Sequence, residues 1–457
     1  MGKYRAYPEY KNSGVEWLEE IPKHWGAKKL KFISSVQPSN IDKKSKEDEV
    51  PVELCNYTDV YYNEEIDSSL TFMKASATNE QIKKFTLRAG DTIITKDSED
   101  PRDIAIPAYV PKTLTGVVCG YHLAMIRPKD SDMGSYIKRV FETGYARSYF
   151  STRANGLTRY GLGTYPLSNI YFPIPPKDEA RNIAAFLDHE TAKIDRLIAR
   201  QERLIELLKE KRQAAISHAV TKGLNPDAPM KDSGVEWLRE VPAHWDVKSI
   251  KRLTVVKRGA SPRPIDDPKY FDEEGRYAWV RIADSTASGG RLHVTTQRLS
   301  DLGSSLSVPL QPGDLFLSIA GTVGLPCITE IPACIHDGFV YFPGWREDRE
   351  FLFYIFQAGE CYKGLGKFGT QLNLNTDTVG FIKIGVPPRG EQELIVGYLH
   401  EKLSKLDNLV AKVAQAVTLL QEHRTTLISA AVTGKIDVRG WQQPSIEPQA
   451  AATAASA

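Results

Sequence analysis

The chain has 457 residues and a formal net charge of +2 at pH 7. It is long enough for two or three domains, and its near-neutral balance excludes the highly basic class of nucleic-acid binders. No apolar run approaches the roughly 20 residues that cross a bilayer, and the first residues lack the apolar core of a signal peptide. The five cysteines have no Cys-x-x-Cys spacing, which predicts reduced thiols in a cytoplasmic protein and argues against a zinc site.

The first predicted element is a tryptophan-rich leader, SGVEWLEEIPKHW at residues 13–25, with a short helix or turn stopped by Pro22. The leader returns at residues 233–245 as SGVEWLREVPAHW, with ten of thirteen positions identical. A match of this length within one chain indicates a tandem duplication. We interpret the leader tryptophans as packing anchors, since aromatic side chains dominate cores, and base stacking is the alternative. The leader histidines are interpreted as structural.

A body of mixed composition follows each leader, at roughly 26–177 and 246–388. Both bodies are rich in glycine, proline, β-branched and aromatic residues, and their short apolar runs between turn signals predict strands. Short helices are expected at Met133–Tyr145 and Arg349–Gly359. Each body is therefore predicted to be an α+β domain with a curved sheet. The two bodies match only at scattered positions, so one scaffold is expected to carry two different surfaces.

Each body is followed by a long helix. Residues 178–222 contain no proline or glycine and consist mainly of good helix formers, and a helix over 178–223 would be roughly 65 Å long. A second copy follows in 389–440, displaced by 212 residues. Spacings of three and four predict a coiled-coil seam in both helices. The seam positions are Ile194, Ile198, Gln201, Ile205, Leu208 and Arg212 in the first helix and Leu406, Val410, Val413, Val417, Leu420 and Arg424 in the second.

We predict that these helices pack against each other within one chain, antiparallel, and relate the two halves by a pseudo-two-fold axis. The polar seam residues are expected to fix the register. Pairing with a second chain is the alternative. Further apolar residues of the first helix lie off the seam and are candidates for docking another protein: Ile183, Phe186, Leu187, Leu197 and Leu204.

Motifs for catalysis are absent from the sequence. The segment around Gly364-Leu-Gly366-Lys367 lacks the leading glycine and the hydroxyl residue of a nucleotide P-loop. No Gly-x-Gly-x-x-Gly follows a strand, no Asn/Asp-Pro-Pro-aromatic motif of an adenine methyltransferase is present, and no carboxylate cluster suggests a nuclease. We therefore expect no catalytic residue and no metal site in this chain.

The leader, the Pro-Pro-x-x-Glu start of each long helix and the sequence AVTGKIDVR at 431–439 resemble the specificity subunit of type I restriction–modification enzymes. The resemblance covers residues 8–440 and includes the duplication. It implies that each body is a target recognition domain for one half of a bipartite double-stranded DNA site, and that the chain itself is not catalytic. It also implies two methyltransferase subunits that use S-adenosylmethionine, and restriction–motor subunits that use ATP and Mg.

Because the bodies differ, we expect unlike half-sites and an asymmetric target. Candidate DNA contacts are polar loop residues, since Arg, Lys, Asn and Gln read base edges, and ordinary solvated loops are the alternative. In the first body they are Lys96, Ser98, Arg102, Arg153, Asn155, Thr158, Arg159 and Tyr160. In the second they are Ser318, Thr322, Lys363, Lys367, Gln371, Asn373 and Asn375.

The predicted fold is α+β: two similar target recognition domains with curved β-sheets, separated by two long helices that form an antiparallel intramolecular coiled coil. The expected boundaries are 1–177 (leader and first domain), 178–223 (first helix), 224–388 (second leader and domain), 389–440 (second helix and its exit) and 441–457 (disordered tail). The alternative function is a tandem-domain DNA-binding regulator or scaffold that acts without a methyltransferase.

Overall fold

A computed structural model describes residues 4–365 and 374–443, which fall into two units. The first unit joins the chain up to Glu202 with the segment from Gln415 onward, and the second is Arg203–Ala414. Of the tail expected to be disordered at 441–457, Trp441 packs against Phe186 with ring centroids 5.7 Å apart, and residues 444–457 lie outside the described residues. Within the described ranges, every helix is too short or too polar to cross a membrane.

Among its described residues, the first unit contains thirteen strands. They are β1 (Tyr10–Asn12), β2 (Glu20–Pro22), β3 (Gly26–Lys29), β4 (Ser34–Pro38), β5 (Val50–Cys55), β6 (Met73–Ala77), β7 (Thr92–Thr95), β8 (Asp97–Ser98), β9 (Pro107–Tyr109), β10 (Val117–Cys119), β11 (Leu123–Pro128), β12 (Tyr160–Gly161) and β13 (Tyr171–Ile174). Its short helices are α1 (Leu30–Ile33), α2 (Tyr57–Tyr61), α3 (Asn79–Phe85), α4 (Gly134–Phe141), α5 (Gly144–Ser151) and α6 (Thr164–Asn169). The long helix α7 (Lys177–Lys222) begins here.

Two sheets form the first body. One has the order β4-β11-β7-β9 and is antiparallel, and the other, β10-β5-β6, pairs β10 with β5 in parallel. All four residues of β7 are buried, as expected for a β-branched run covered on both faces. The leader forms the hairpin β1–β2 with a turn at Val15–Leu18, which confirms the predicted turn and adds two strands.

The second unit repeats this design. Its strands are β14 (Met230–Asp232), β15 (Glu240–Pro242), β16 (Asp246–Ser249), β17 (Lys257–Arg258), β18 (Tyr277–Val280), β19 (Arg291–Leu292), β20 (Gln297–Leu299), β21 (Val308–Leu310), β22 (Leu315–Ser318), β23 (Pro326–Thr329), β24 (Ala333–Ile335), β25 (Phe339–Tyr341) and β26 (Lys383–Val386). Its helices are α8 (Ile250–Leu253), α9 (Ile282–Ala287), α10 (Asp301–Ser305), α11 (Arg349–Ala358), α12 (Thr376–Phe381) and the long α13 (Arg389–Val432). The sheets have the orders β17-β25-β22-β23-β19 and β20-β18-β24-β21.

One predicted short helix is interrupted. The segment expected at Met133–Tyr145 is two helices, α4 and α5, because Thr143 adopts an extended backbone and its side chain accepts from the Ala146 N–H at 3.2 Å. This is an N-cap, which starts a new helix. The other short helix is confirmed, since α11 ends where Gly359 takes a φ of +74°.

The two long helices run antiparallel within each unit. In the first unit the end of α13 at Gly434 lies against Trp25, beside the start of α7, and Arg424 Nε donates to Asp195 Oδ1 at 2.9 Å. In the second unit Arg212 Nε donates to Asp407 Oδ1 at 3.0 Å. The two ion pairs are the same contact made twice, because each member has its counterpart 212 residues away. The predicted antiparallel pairing is confirmed.

The predicted seam residues are buried or half-buried at spacings of three and four along both helices. The proposal that all the off-seam residues dock another protein is wrong for three of them. Ile183, Phe186 and Leu187 are buried in the core of the first unit, because the body packs on that face of α7. Leu197 and Leu204 remain exposed.

Candidate nucleic-acid interface

A glutamate at the start of each long helix, buried in the first unit and half-buried in the second, fastens the leader to that helix. In the first unit, Trp25 Nε1 donates to Glu179 Oε1 at 3.1 Å, and His24 Nε2 lies 2.8 Å from Glu179 Oε2. In the second, the contacts of Trp245 and His244 with Glu391 measure 3.1 and 2.7 Å. The interpretation of these leader residues as structural is confirmed. The two closely similar leaders hold the two bodies in the same way, so the differences between the units lie on the body surfaces.

In the first unit the two groups of candidate DNA contacts come together. Strands β8 and β12 pair antiparallel, so Ser98 lies opposite Tyr160. The Leu162 N–H donates to the Lys96 carbonyl at 2.9 Å, and Asn155 and Gly161 exchange backbone hydrogen bonds. The loop after β7 and the loop before β13, far apart in sequence, therefore form one surface.

His122 joins these loops and was missed in the sequence. Its Nδ1 lies 2.9 Å from Asp97 Oδ2, and Arg159 Nη2 lies 3.1 and 3.2 Å from the two ring nitrogens. Because a carboxylate only accepts and a guanidinium only donates, we assign the ring proton to Nδ1 and the accepting role to Nε2. This chain of contacts holds the exposed Arg159 in place on the surface.

Tyrosines of α2 and its end extend this surface. Tyr57 and Tyr61 stack with ring centroids 5.4 Å apart, and the following Tyr62 is 75% exposed. Tyr57 lies against Ser98 and Arg159, and burial raises its pKa. The hydrogen bond from Tyr61 to Asp103 raises the pKa of Tyr61 to about 12, so its hydroxyl stays a donor at neutral pH. The run Tyr-Thr-Asp-Val-Tyr-Tyr at residues 57–62, which closely follows the apolar segment that forms β5, was the available signal.

Most of the remaining candidates of the first unit are exposed. Arg102 pairs with Asp100 at 2.7 Å, and Arg153 lies 3.9 Å from the ring centroid of Tyr149. Asn155 and Thr158 are exposed, and Lys96 is half-buried. Ser98 is the exception: it is buried and its Oγ accepts from the Asp100 N–H at 3.3 Å, so it shapes the loop instead of facing DNA.

Two of the candidates of the second unit have structural roles. Ser318 is buried, donates to the Thr322 carbonyl and accepts from the Leu325 N–H at 3.0 Å. Asn375 caps α12, because its Oδ1 accepts from two backbone N–H groups at 2.9 Å each. Thr322 and Lys363 are exposed, the latter 2.5 Å from Glu360. Lys367, Gln371 and Asn373 lie outside the described residues.

A cleft of about 690 Å³ opens in the second body. Burial lowers the pKa of His336 at its edge, so the ring is neutral at pH 7 and accepts from the Gly338 N–H through Nδ1 at 2.8 Å. Asp337 accepts from Ser261 Oγ at 3.0 Å and from Arg263 Nη2 at 3.1 Å. The lining residues are Ser261, Arg263, Ile265, Asp266, Pro268, Phe271, Trp279, Arg281, Gln297, His336 and Asp337.

A network of charges fixes the first body to both long helices. Arg139 Nη2 donates to Asp188 of α7 at 2.6 Å and Nη1 to Glu142 at 2.8 Å, and Glu142 lies 2.8 Å from Lys138. Glu64 bonds to Lys138 and to Arg424 of α13. The predicted seam arginine Arg424 therefore also holds the body. Burial alone would raise the pKa of Glu64, but Lys138, Arg139 and Arg424 outweigh it and lower that pKa to about 2.

This network makes a pH-dependent prediction. A carboxylate whose pKa is lower in the folded than in the unfolded chain stabilises the fold above its unfolded value, about 4.3, and loses that contribution as the pH falls towards 2. We expect Glu64→Gln to lower the melting temperature at pH 7, and the difference from the wild type to shrink steadily below pH ~4.5. Thermal unfolding at pH 7, 5, 4 and 3 measures this. A difference that does not change with pH would contradict it.

Within the described ranges, no group of three or more His, Cys, Asp or Glu side chains is arranged to hold a metal.

Comparison with known proteins agrees with this architecture. Residues 242–418 match the family described as "Type I restriction modification DNA specificity domain". A curated relative, the type I restriction enzyme MjaIX specificity subunit of Methanocaldococcus jannaschii, is 24% identical over 295 residues. The match spans 62% of this chain and 62% of that relative, so it covers less than two thirds of the relative's length.

Two solved structures have the same fold. The HsdS subunit from Thermoanaerobacter tengcongensis superposes with a TM-score of 0.52 at 18% identity, covering 91% of this chain and 98% of that one. A chain solved in work on complex assembly and conformational transition of the type I R-M system gives a TM-score of 0.70 at 17% identity, covering 91% of this chain and 99% of its own. With the repeated leaders, the paired long helices and the matched specificity domain in its second unit, this protein is similar to the specificity subunits of type I restriction–modification enzymes.

Proposed function

We propose that the chain recognises double-stranded DNA, with the first unit reading one half of a bipartite, asymmetric target and the second unit reading the other. It carries out no catalysis. In the cytoplasm it directs two methyltransferase subunits, which use S-adenosylmethionine, to adenines of the target. Restriction–motor subunits that use ATP and Mg join them to cut unmethylated DNA.

One observation carries the proposal: the scaffold contacts are repeated, whereas the exposed surfaces differ. The hydrogen bond from a leader tryptophan to a long-helix glutamate, here called the Trp–Glu clamp, occurs once in each unit, and so does the Arg–Asp ion pair between the long helices. The surface around Arg159 is rich in tyrosine, whereas the second body has a mixed polar cleft. A protein that reads two unlike half-sites needs this combination, since phosphate contacts position a protein and base contacts specify the sequence. Two half-sites roughly 34–36 Å apart would lie on one face of the duplex.

Arg159→Ala tests the assignment of the first unit. Arg159 is exposed and held by His122, so its loss removes a donor without removing a buried group. We expect the preference at one or two positions of one half-site to weaken by about 5- to 150-fold, the range for one bidentate base contact. Selection of duplexes from a random library by the chain, co-expressed with the methyltransferase subunit of its host, measures it. An equal loss at both half-sites would contradict the assignment.

The same co-expression separates the alternative function. A regulator or scaffold that acts alone has no need of a methyltransferase. Copurification of the methyltransferase with the chain therefore supports the proposal, whereas DNA binding with no copurification supports the regulator.

A further inference from the structure

Two side chains of the second-unit cleft are poised without partners. Arg281, directly after β18, is exposed, and Gln297 at the start of β20 is half-buried. In the part of the chain that the structure describes, neither side chain has a hydrogen-bond or ion-pair partner. Trp279 pairs directly with Gln297 across the sheet, and Arg281 follows Trp279 by two residues. Because strand residues alternate between faces, all three project from the same face of the sheet, into the cleft.

The cleft fits base edges better than phosphate. Its four charged side chains balance, with Arg263 and Arg281 against Asp266 and Asp337, whereas a phosphate site is expected to carry net positive charge. Base edges in the major groove present donors and acceptors side by side, and the cleft does the same. An arginine can donate twice to guanine O6 and N7, and a glutamine can bond adenine N6 and N7.

The residue type at the position of Arg281 also differs between the two units, as expected for a position that determines sequence specificity. In both units the residue before the helix is tied to the third residue of that helix: the Asn56 N–H donates to Asp59 at 2.8 Å, and the Arg281 N–H donates to Asp284 at 3.0 Å. The backbone frame is therefore shared, and the side chain placed on it differs. This is the pattern expected if the frame presents different readers to two unlike half-sites.

We propose that Arg281 and Gln297 read base edges of the second half-site from this cleft, Arg281 at a G·C pair and Gln297 at an A·T pair. The inference rests on the proposed function of the chain and names the readers of its second unit. Arg281 and Gln297 replace two candidates that the sequence suggested for this unit. The side chains of Ser318 and Asn375 instead stabilise a loop and a helix cap.

The test is duplex selection from a random library with the full chain and its host methyltransferase subunit. Arg281→Ala is expected to weaken the preference for one G·C pair by about 5- to 150-fold. Gln297→Ala is expected to weaken the preference for one A·T pair by the same range, and both effects should be confined to the second half-motif. Arg159→Ala should affect the first half-motif alone. Arg252→Ala, an exposed arginine of α8 that does not line the cleft, is the matched control and should change neither.

Arg281→Lys separates base reading from phosphate contact, since lysine keeps the charge but loses the bidentate fork. We expect it to restore the G·C preference only in part, because the ammonium can reach guanine O6 and N7 but lacks the fixed fork. Thermal unfolding shows whether each variant folds. If Arg281→Ala does not fold, Arg281→Lys replaces it, and if Gln297→Ala does not fold, Gln297→Glu replaces it. An unchanged second half-motif in both alanine variants, uniform weakening over all sequences, or full recovery of the G·C preference in Arg281→Lys would overturn the inference. A wild type that selects no bipartite motif would overturn the proposed function itself.

Discussion

Replacing Arg139 with alanine is expected to lower the free energy of unfolding of the first unit by about 3–5 kcal/mol, the usual cost of breaking a buried charge network. Arg139 is 3% exposed and Glu142 5% exposed. The substitution removes the partner of Asp188 and one of the two cations beside Glu142. Glu142 is buried and keeps Lys138 as its one remaining cation, so part of its desolvation cost is left uncompensated.

Arg212→Ala is the control, because its ion pair with Asp407 joins α7 and α13 in the second unit. Arg212 is 30% exposed, and its partner Asp407 is more than half exposed. Partly exposed pairs are screened, so we expect a loss of no more than about 1 kcal/mol. Native-state hydrogen exchange resolves the two units. Equal losses in the two variants would contradict the structural role assigned to the network around Arg139.

Trp245→Ala is the second large effect, with an expected loss of about 3–5 kcal/mol in the second unit. The side chain is fully buried, and its Nε1–H donates to Glu391 Oε1 at 3.1 Å. Its removal leaves a large cavity between the leader, β26 and the end of α7, where Gly223 and Gly385 lie against the indole ring. It also takes one donor from Glu391, which keeps only the contact with His244.

The control for this variant is Trp237→Ala in the same leader. Trp237 is half-buried, and its Nε1–H donates to the Lys383 carbonyl at 3.2 Å. Trp237 buries less apolar surface than Trp245, so we expect Trp237→Ala to lower the free energy of unfolding by about 1 kcal/mol or less. Denaturant unfolding followed by circular dichroism compares the two. If Trp237→Ala cost as much as Trp245→Ala, the buried clamp would not be the main anchor of the leader.

The duplicated frame could be predicted because its signals are local or repeated. The leader recurs almost unchanged, and the seam of α7 and α13 follows from a spacing that holds over several turns. The ion pairs Arg424–Asp195 and Arg212–Asp407 also follow from the repeat once the helices are antiparallel. Patterns of this kind need no knowledge of the rest of the chain.

The reading surfaces could not be predicted to the same depth. The cleft around Gln297 and His336 is assembled from segments that meet only through long-range strand pairing. Polarity in a loop was misleading for Ser98 and Ser318, because a hydroxyl that satisfies turn backbone is buried with it. Similarly, Phe186 looked free on an isolated helix, and only the folded body covers it.

The central claim is that one chain joins two unlike DNA readers. Sequencing of methylated adenines in cells that co-express the chain with its host methyltransferase subunit tests it most directly. The account predicts methylation at one bipartite motif, with two different half-sites separated by a gap of fixed length. A continuous or palindromic motif, or methylation that does not depend on this chain, would contradict it.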